Sequence, residues 1–289
     1  MLWYAANSQS IFNAWRHYFL ANHPKPGEIP WSDPYKLSPS ERRTIQHSIQ
    51  QFQLGEGSEG RRLLDRGRAY SRAAGDPHFA EALSLFVKEE QRHSAHLLQF
   101  MRGQEIPQIS AHWVDSVFRR LRVLAGLELS LRVLVTAEVI SVPFYRALSR
   151  ATGSTLLAAI SERILGDEAA HLGFQSAMLS SLEAARHPAM RRLIWRFHRL
   201  FLLGTSFVVW LEHGSVFRAA AYGFKSFTRE ALAEFAALES SQRRAFIELN
   251  EAPISHPVSP VLSRSSCPYL PRKSPRAFTA IHPDSRNSL

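Results

Sequence analysis

The sequence predicts an all-α protein: a four-helix bundle with additional N- and C-terminal helices. Three observations carry that prediction. Apolar residues recur in steps of three and four, and no stretch alternates like a strand. Helix starts are marked, as at Ser38-Pro39-Ser40-Glu41 and Asp76-Pro77. Glycines such as Gly75 and Gly103 mark helix ends.

The elements follow in order. Ser8 to Leu20 reads as a short helix with Ile11, Phe12, Trp15 and Phe19 on one side. A Pro-rich connector runs from Pro24 to Pro39. Ser38 then caps a helix expected to continue to about Ala74, and Glu41 closes the capping box. Asp76-Pro77 opens a second bundle helix that ends near Gly103. A third is expected from about Ala111 to Arg150, with Pro143 as a potential kink. Gly153-Ser154 turns the chain into a fourth, which reaches about Arg186. A fifth runs from Pro188 to about His213 and a sixth from about Thr228 to Asn250. The helical domain is thus expected over residues 1–252, its bundle over about 39–187. Residues 253–289 alternate Pro, Ser and Arg, and are read as a disordered tail that cannot bury enough apolar surface to offset its ordering entropy.

Composition narrows the class. The 289 residues are 45% hydrophobic and 21% charged, which excludes a wholly disordered chain. A single cysteine, Cys267, excludes an internal disulfide framework and any Cys-rich metal site. The longest apolar run, Leu200 to Leu211, is too short to span a bilayer. The N-terminus lacks a basic start followed by an apolar stretch, so no secretory signal is expected, and a reducing cytoplasm is the expected compartment. The formal charge of +10 is spread along helices and the tail, without a zinc-finger or RNA-recognition signature. It reads as a solvated basic surface, and no nucleic acid is expected.

Two Glu-x-x-His motifs carry the chemistry: Glu90-Gln91-Arg92-His93 and Glu168-Ala169-Ala170-His171. With 19 Glu and 13 His, about one such pair is expected by chance, so the pairs count only through their context. Both lie on apolar stripes: Phe79, Leu83, Phe86, Glu90, His93, Leu97 in one helix, and Leu157, Ile160, Ile164, Glu168, His171, Met178 in the other. A carboxylate on a buried stripe costs several kcal/mol unless something compensates it.

Each motif is preceded by a helix with its own inner Glu. Glu138 lies 30 residues before Glu168, and Glu59 lies 31 before Glu90. Glu59 is preferred over Glu56 for that match, and Glu56 remains the alternative one turn away. Glu128 is the weaker rival to Glu138, rotated about 80° from it. An acid precedes each motif, Glu89 and Asp167. A ligating His commonly donates its other ring N–H to a carboxylate. The expected pairings cross the bundle, Asp167 with His93 and Glu89 with His171. Four Glu and two His on facing helices make a site for two metal ions, and four carboxylates balance two divalent cations. His213, or Glu212 beside it, is a further candidate ligand at the end of the fifth helix.

Glu59, Glu90, His93, Glu138, Glu168 and His171 together resemble the pattern of the ferritin-like di-iron carboxylate superfamily, over roughly half the chain. The resemblance implies two iron ions, with manganese as an alternative, and reaction with O2. Within the superfamily, paired Cys motifs of the rubrerythrin kind are absent. Leu97 stands where reductase radical subunits carry a tyrosine. The elaboration beyond four helices exceeds what a storage ferritin needs. These features point to an O2-activating oxidase or oxygenase, hydroxylating or N-oxygenating a small organic substrate. Glycines and alanines near the ligands would leave room for it. An external electron donor, a ferredoxin or flavin reductase, is expected because the chain contains no reductase domain. The competing reading is ferroxidase, iron handling or peroxide detoxification. A non-catalytic module attached to a membrane surface through Ser8–Leu20 and the tail is a third. The sequence is compatible with a homodimer and with weak membrane-surface contact.

Overall fold

A computed structural model describes residues 10–22, 28–57, 60–114, 116–117, 120 and 126–251, with side chains up to residue 240. The helices are α1 (Ile11–Ala21), α2 (Pro39–Glu56), α3 (Arg61–Ala74), α4 (Pro77–Gly103), α5 (Leu127–Leu148), α6 (Thr155–Glu183), α7 (Pro188–Ala219) and α8 (Phe224–Glu251). Among the described residues there is no strand. The expected tail lies outside them.

Local chemistry sets most boundaries where the sequence placed them. Ser38 accepts from the Glu41 amide while Glu41 reaches back to the Ser38 amide, so α2 starts on a complete capping box. Asp76 and Ser154 cap α4 and α6. Gly75 ends α3 in the left-handed region, where a Cβ would be strained.

Several boundaries differ from expectation: α7 runs past His213, its expected end, to Ala219, and α8 starts at Phe224. The helix expected from residue 39 to 74 is two helices, α2 and α3, broken between Glu56 and Arg61. Gly60 sits there at φ 61°, and a Cβ on Gly57 would lie 2.9 Å from the Ser94 hydroxyl. Several glycines in close succession weaken a helix enough for a turn to replace it. The helix expected from about Ala111 is divided: residues 113–114, 116–117 and 120 are helical, Gly126 is not, and α5 starts at Leu127. It then runs unbroken through Pro143.

α2 and α3 both pack on α4, and α5 packs on α6. The two hairpins meet through α4 with α6 and α3 with α5. α1 lies against α4 and inserts Phe12 and Phe19. α7 covers α2 and α5, and α8 packs on α5, α6 and α7. A continuous core runs through this helical bundle, including Ile45, Ile49, Phe79, Phe86, Tyr145, Ile164 and Phe174.

By length and composition alone, α7 is long and apolar enough to cross a membrane, although 44% of its most apolar window is buried in the molecule. Its buried face carries Trp195, His198, Ser206 and His213, as suits a helix packed on protein. Its outer face exposes Met190, Leu193, Phe197, Leu200, Phe207 and Leu211. With Gly204 between them, these follow a three-four heptad spacing.

Candidate metal centre

α4 and α6 bring both Glu-x-x-His motifs to one buried locus. His93, Glu168 and His171 are almost fully buried, and the His rings lie 5.4 Å apart between centroids. α5 contributes Glu138 and the last turn of α2 contributes Glu56. Three groups of potential ligands overlap here: Glu56 with His93 and Glu168, Glu138 with Glu168 and His171, and Glu90 with both His. Within each group the ligand atoms lie within 4.8 Å of one another. Glu168 thus belongs to the group of each His, and Glu90 reaches both His.

Glu59 lies outside the described residues. Glu56, the alternative one turn away, belongs to one of the three groups, and its Oε1 accepts from Tyr145 Oη at 2.7 Å. Glu128 is turned away into ion pairs with Arg132 and Arg186. His213 lines the adjoining cavity and faces Ser48 Oγ at 3.1 Å, joining none of the three groups.

A layer of ionised groups holds the two imidazoles. His93 Nε2 lies 3.0 Å from Asp167 Oδ2, and His171 Nε2 lies 3.1 Å from Glu89 Oε2. These are the pairs expected from the acids that precede each motif. The other oxygens of both acids accept from one side chain: Asn22 Nδ2, at the end of α1, lies 2.8 Å from Glu89 Oε1 and 2.8 Å from Asp167 Oδ1. Arg92 pairs with Glu89, and Arg163 donates to Asp167 at 2.8 Å. Each acid thus faces one guanidinium in this shell. Burial opposes the charge of Asp167, but His93, Asn22 and Arg163 outweigh it and hold the carboxyl at about 2. Burial and these same acids push Tyr18 up to about 12.

With each Nε2–H directed at a carboxylate, Nδ1 is the atom left facing the cluster. His93 Nδ1, His171 Nδ1, Glu90 Oε1 and both Glu168 oxygens are buried without a hydrogen-bond partner. Glu90 Oε1 and His171 Nδ1 lie 2.9 Å apart, out of line for a hydrogen bond. Five unsatisfied polar atoms at one point are costly in a packed interior. Burial, with Glu138 and Glu56 alongside, pushes the Glu90 carboxyl well above its ordinary range. Burial and Glu138 do the same to Glu168. Burial disfavours charge on His171, but the surrounding Glu90, Glu138 and Glu89 raise it well above the ordinary value. Glu138 goes the other way: burial opposes its charge, yet Glu168, His171 and Gln175 hold it below the usual range. Bound cations would replace the protons that this crowding demands. The buried Glu and His residues, which offer carboxylate oxygen and imidazole nitrogen, could therefore hold a metal ion.

A cavity of about 170 Å³ adjoins the centre between α2, α5 and α7. Glu56, Glu90 and Glu138 form its floor, and Phe52, Val133, Ile140 and Val209 contribute apolar wall. Of the small residues expected to leave room, Gly55, Ala137 and Ser141 line it. Gly57 and Gly60 instead serve the turn between α2 and α3.

Sequence reasoning missed Asn22, Arg92, Arg163 and Gln175. Arg163 stands four residues before Asp167, and Arg92 three after Glu89, so one-turn spacing was a usable signal. Gln175, which donates to Glu138 Oε1 at 2.7 Å, stands one turn beyond His171. Asn22 had no signal, because its partners are 67 and 145 residues away. Comparison of the chain with family models, curated proteins and solved structures finds no match.

Proposed function

We propose that the protein is a ferritin-like di-iron carboxylate oxidoreductase that uses O2 to oxidise a small, largely apolar organic molecule. The observation that carries this reading is the convergence of five unpartnered buried ligand atoms beside an apolar cavity that Glu90, one of their residues, also lines. Glu56, Glu90, His93, Glu138, Glu168 and His171 would hold two iron ions, which supply the redox chemistry with O2. The electron count is that of an oxygenase or oxidase. O2 takes four electrons to reach water or product oxygen, two from the substrate and two from an external ferredoxin- or flavin-type donor. A substrate that gives all four needs no donor.

The chain supplies the setting. Asp167 and Glu89 fix the Nε2 protons of His93 and His171, and so the direction of both rings. Tyr145 and Gln175 orient Glu56 and Glu138 by direct hydrogen bonds. Phe19, Phe86 and Phe174 wall off His171 from water. Phe52 and its neighbours make the cavity favour an apolar body, with His213 and Thr205 as polar contacts. The heptad row of exposed side chains on α7 supports pairing of two copies, since contiguous exposed apolar surface of this kind marks an interaction face.

The test is anaerobic loading of the full chain with Fe2+, followed by O2 under optical and Mössbauer spectroscopy, with O2 uptake measured against a substrate panel. Two irons per chain and substrate-dependent O2 uptake are expected. Uptake that ends once the irons are oxidised, across the panel, would favour iron handling. Failure to bind iron would remove the reading altogether.

A further inference from the structure

At the outer mouth of the same cavity stands a second, separate ligand cluster. His47 on α2, His112 in the link between α4 and α5, and Glu212 on α7 place ligand atoms within 4.8 Å of one another. His47 Nε2 lies 3.0 Å from Glu212 Oε2, and His112 Nε2 lies 3.7 Å from the same oxygen. Four donors around a tetrahedral zinc at 2.0–2.1 Å lie about 3.3 Å apart. The observed separations bracket that spacing.

The hydrogen bonding at His47 Nε2 is contested, and the cluster's oxygen and nitrogen atoms converge there as a cation's ligands would. His47 Nε2 faces the Glu212 carboxylate, which calls for a proton on the ring nitrogen. It also lies 2.6 Å from Gln51 Nε2, an amide donor that calls for a lone pair there. One nitrogen cannot meet both demands. A half-turn of the amide exchanges its nitrogen and oxygen, and brings Gln51 Oε1 to the same point as a fourth oxygen or nitrogen ligand. The other Glu212 oxygen is already held, accepting from Trp113 Nε1 at 3.2 Å. Oε2 faces the two imidazoles and also accepts from Gln51 Nε2 at 3.4 Å.

We propose that His47, His112 and Glu212 bind one divalent transition ion of the zinc class, apart from the buried carboxylate centre. Two imidazole nitrogens and one carboxylate oxygen, with Gln51 or water in the fourth position, suit Zn2+ and its spectroscopic substitute Co2+. Hard ions that require an all-oxygen shell fit poorly. Because the other two ligands come from α2 and α7, the ion would join His112 to both helices beside the cavity. His112 and Gln51 are themselves part of the cavity lining. The site depends on none of the six buried ligands.

The experiment uses the full chain carrying Glu90→Gln and Glu168→Gln, so that the buried centre is disabled. Zn2+ is titrated by calorimetry, and Co2+ by visible absorption. One ion per chain is expected, with tetrahedral Co2+ bands and a Zn2+-dependent rise in Tm. His112→Ala added to this background should weaken binding at least tenfold and abolish the Tm rise. His47→Ala should do the same, and circular dichroism of each variant checks that the helices are retained. Unchanged stoichiometry and affinity in both histidine variants would overturn the proposal, as would the absence of any bound ion in the folded background. Should the unsubstituted protein bind a single Zn2+ that His112→Ala removes, the outer site stands and the buried di-iron reading fails. The two claims therefore fall separately.

Discussion

His93 on α4 and Asp167 on α6 are 74 residues apart and meet at 3.0 Å, Nε2 against Oδ2. His171 and Glu89 make the reciprocal contact at 3.1 Å. Each motif thus supplies an imidazole to the buried cluster and borrows its carboxylate support from the other motif. The two halves hold each other's ligands in place.

Asp167→Asn keeps the shape and removes the charge that supports the His93 ring. Fe2+ affinity should fall by about 10–100-fold, the usual cost of losing such a partner. Competition against a chelator measures it. Affinity equal to that of the unsubstituted protein would show that the contact has no bearing on the metal.

Glu56 and Glu59 can be separated directly. Glu56→Ala should lower bound iron from two per chain to one or fewer. Glu59→Ala should leave two. Iron analysis after desalting decides, and the reverse result would return the ligand role to Glu59.

Filling the cavity should uncouple metal from substrate. Ala137 lines the cavity beside Glu138, so Ala137→Phe introduces a ring into the substrate's space. Two irons per chain should remain, while substrate-dependent O2 uptake falls at least tenfold. Unaltered uptake would place the substrate elsewhere.

The pH dependence of stability has a defined sign at His198. Burial, then Arg132, lowers its pKa to about 3. Its Nδ1 faces Arg132 Nη1 at 3.2 Å, and its Nε2 lies 3.0 Å from the Arg132 carbonyl oxygen. The unfolded chain takes up a proton there below about pH 6.5, and the folded chain does not until about pH 3. Stability therefore falls as pH drops through that window, by up to about 1.4 kcal/mol per pH unit for the one proton. His198→Gln should flatten the slope between pH 6 and 4 in denaturant titrations. A slope identical to that of the unsubstituted protein would contradict the assignment.

The exposed row on α7 predicts a two-chain particle. Phe197 and Leu200, 62% and 63% exposed, stand near its middle. Sedimentation equilibrium should give twice the chain mass, and Phe197→Glu with Leu200→Glu should halve it. A monomer before substitution would leave that face to another partner.

Much of this molecule is local chemistry that a linear reading can follow. Ser38, Asp76 and Ser154 start helices, and Gly75 ends one, because caps and left-handed turns depend on neighbours within four residues. The motif spacing also set Glu90, His93, Glu168 and His171 on inner faces, since residues three and four apart share a side of a helix. The cross-bundle pairing with Glu89 and Asp167 followed from antiparallel hairpins with one acid before each motif. Tertiary structure alone decided the rest. Whether the Gly-rich stretch after residue 54 continues or breaks the helix depends on what packs against it. Asn22 joins two acids far away in sequence, and the cavity exists only where three helices fail to fill the space between them. Contacts of that kind have no period and no fixed spacing, so they come into being only when the chain has closed on itself.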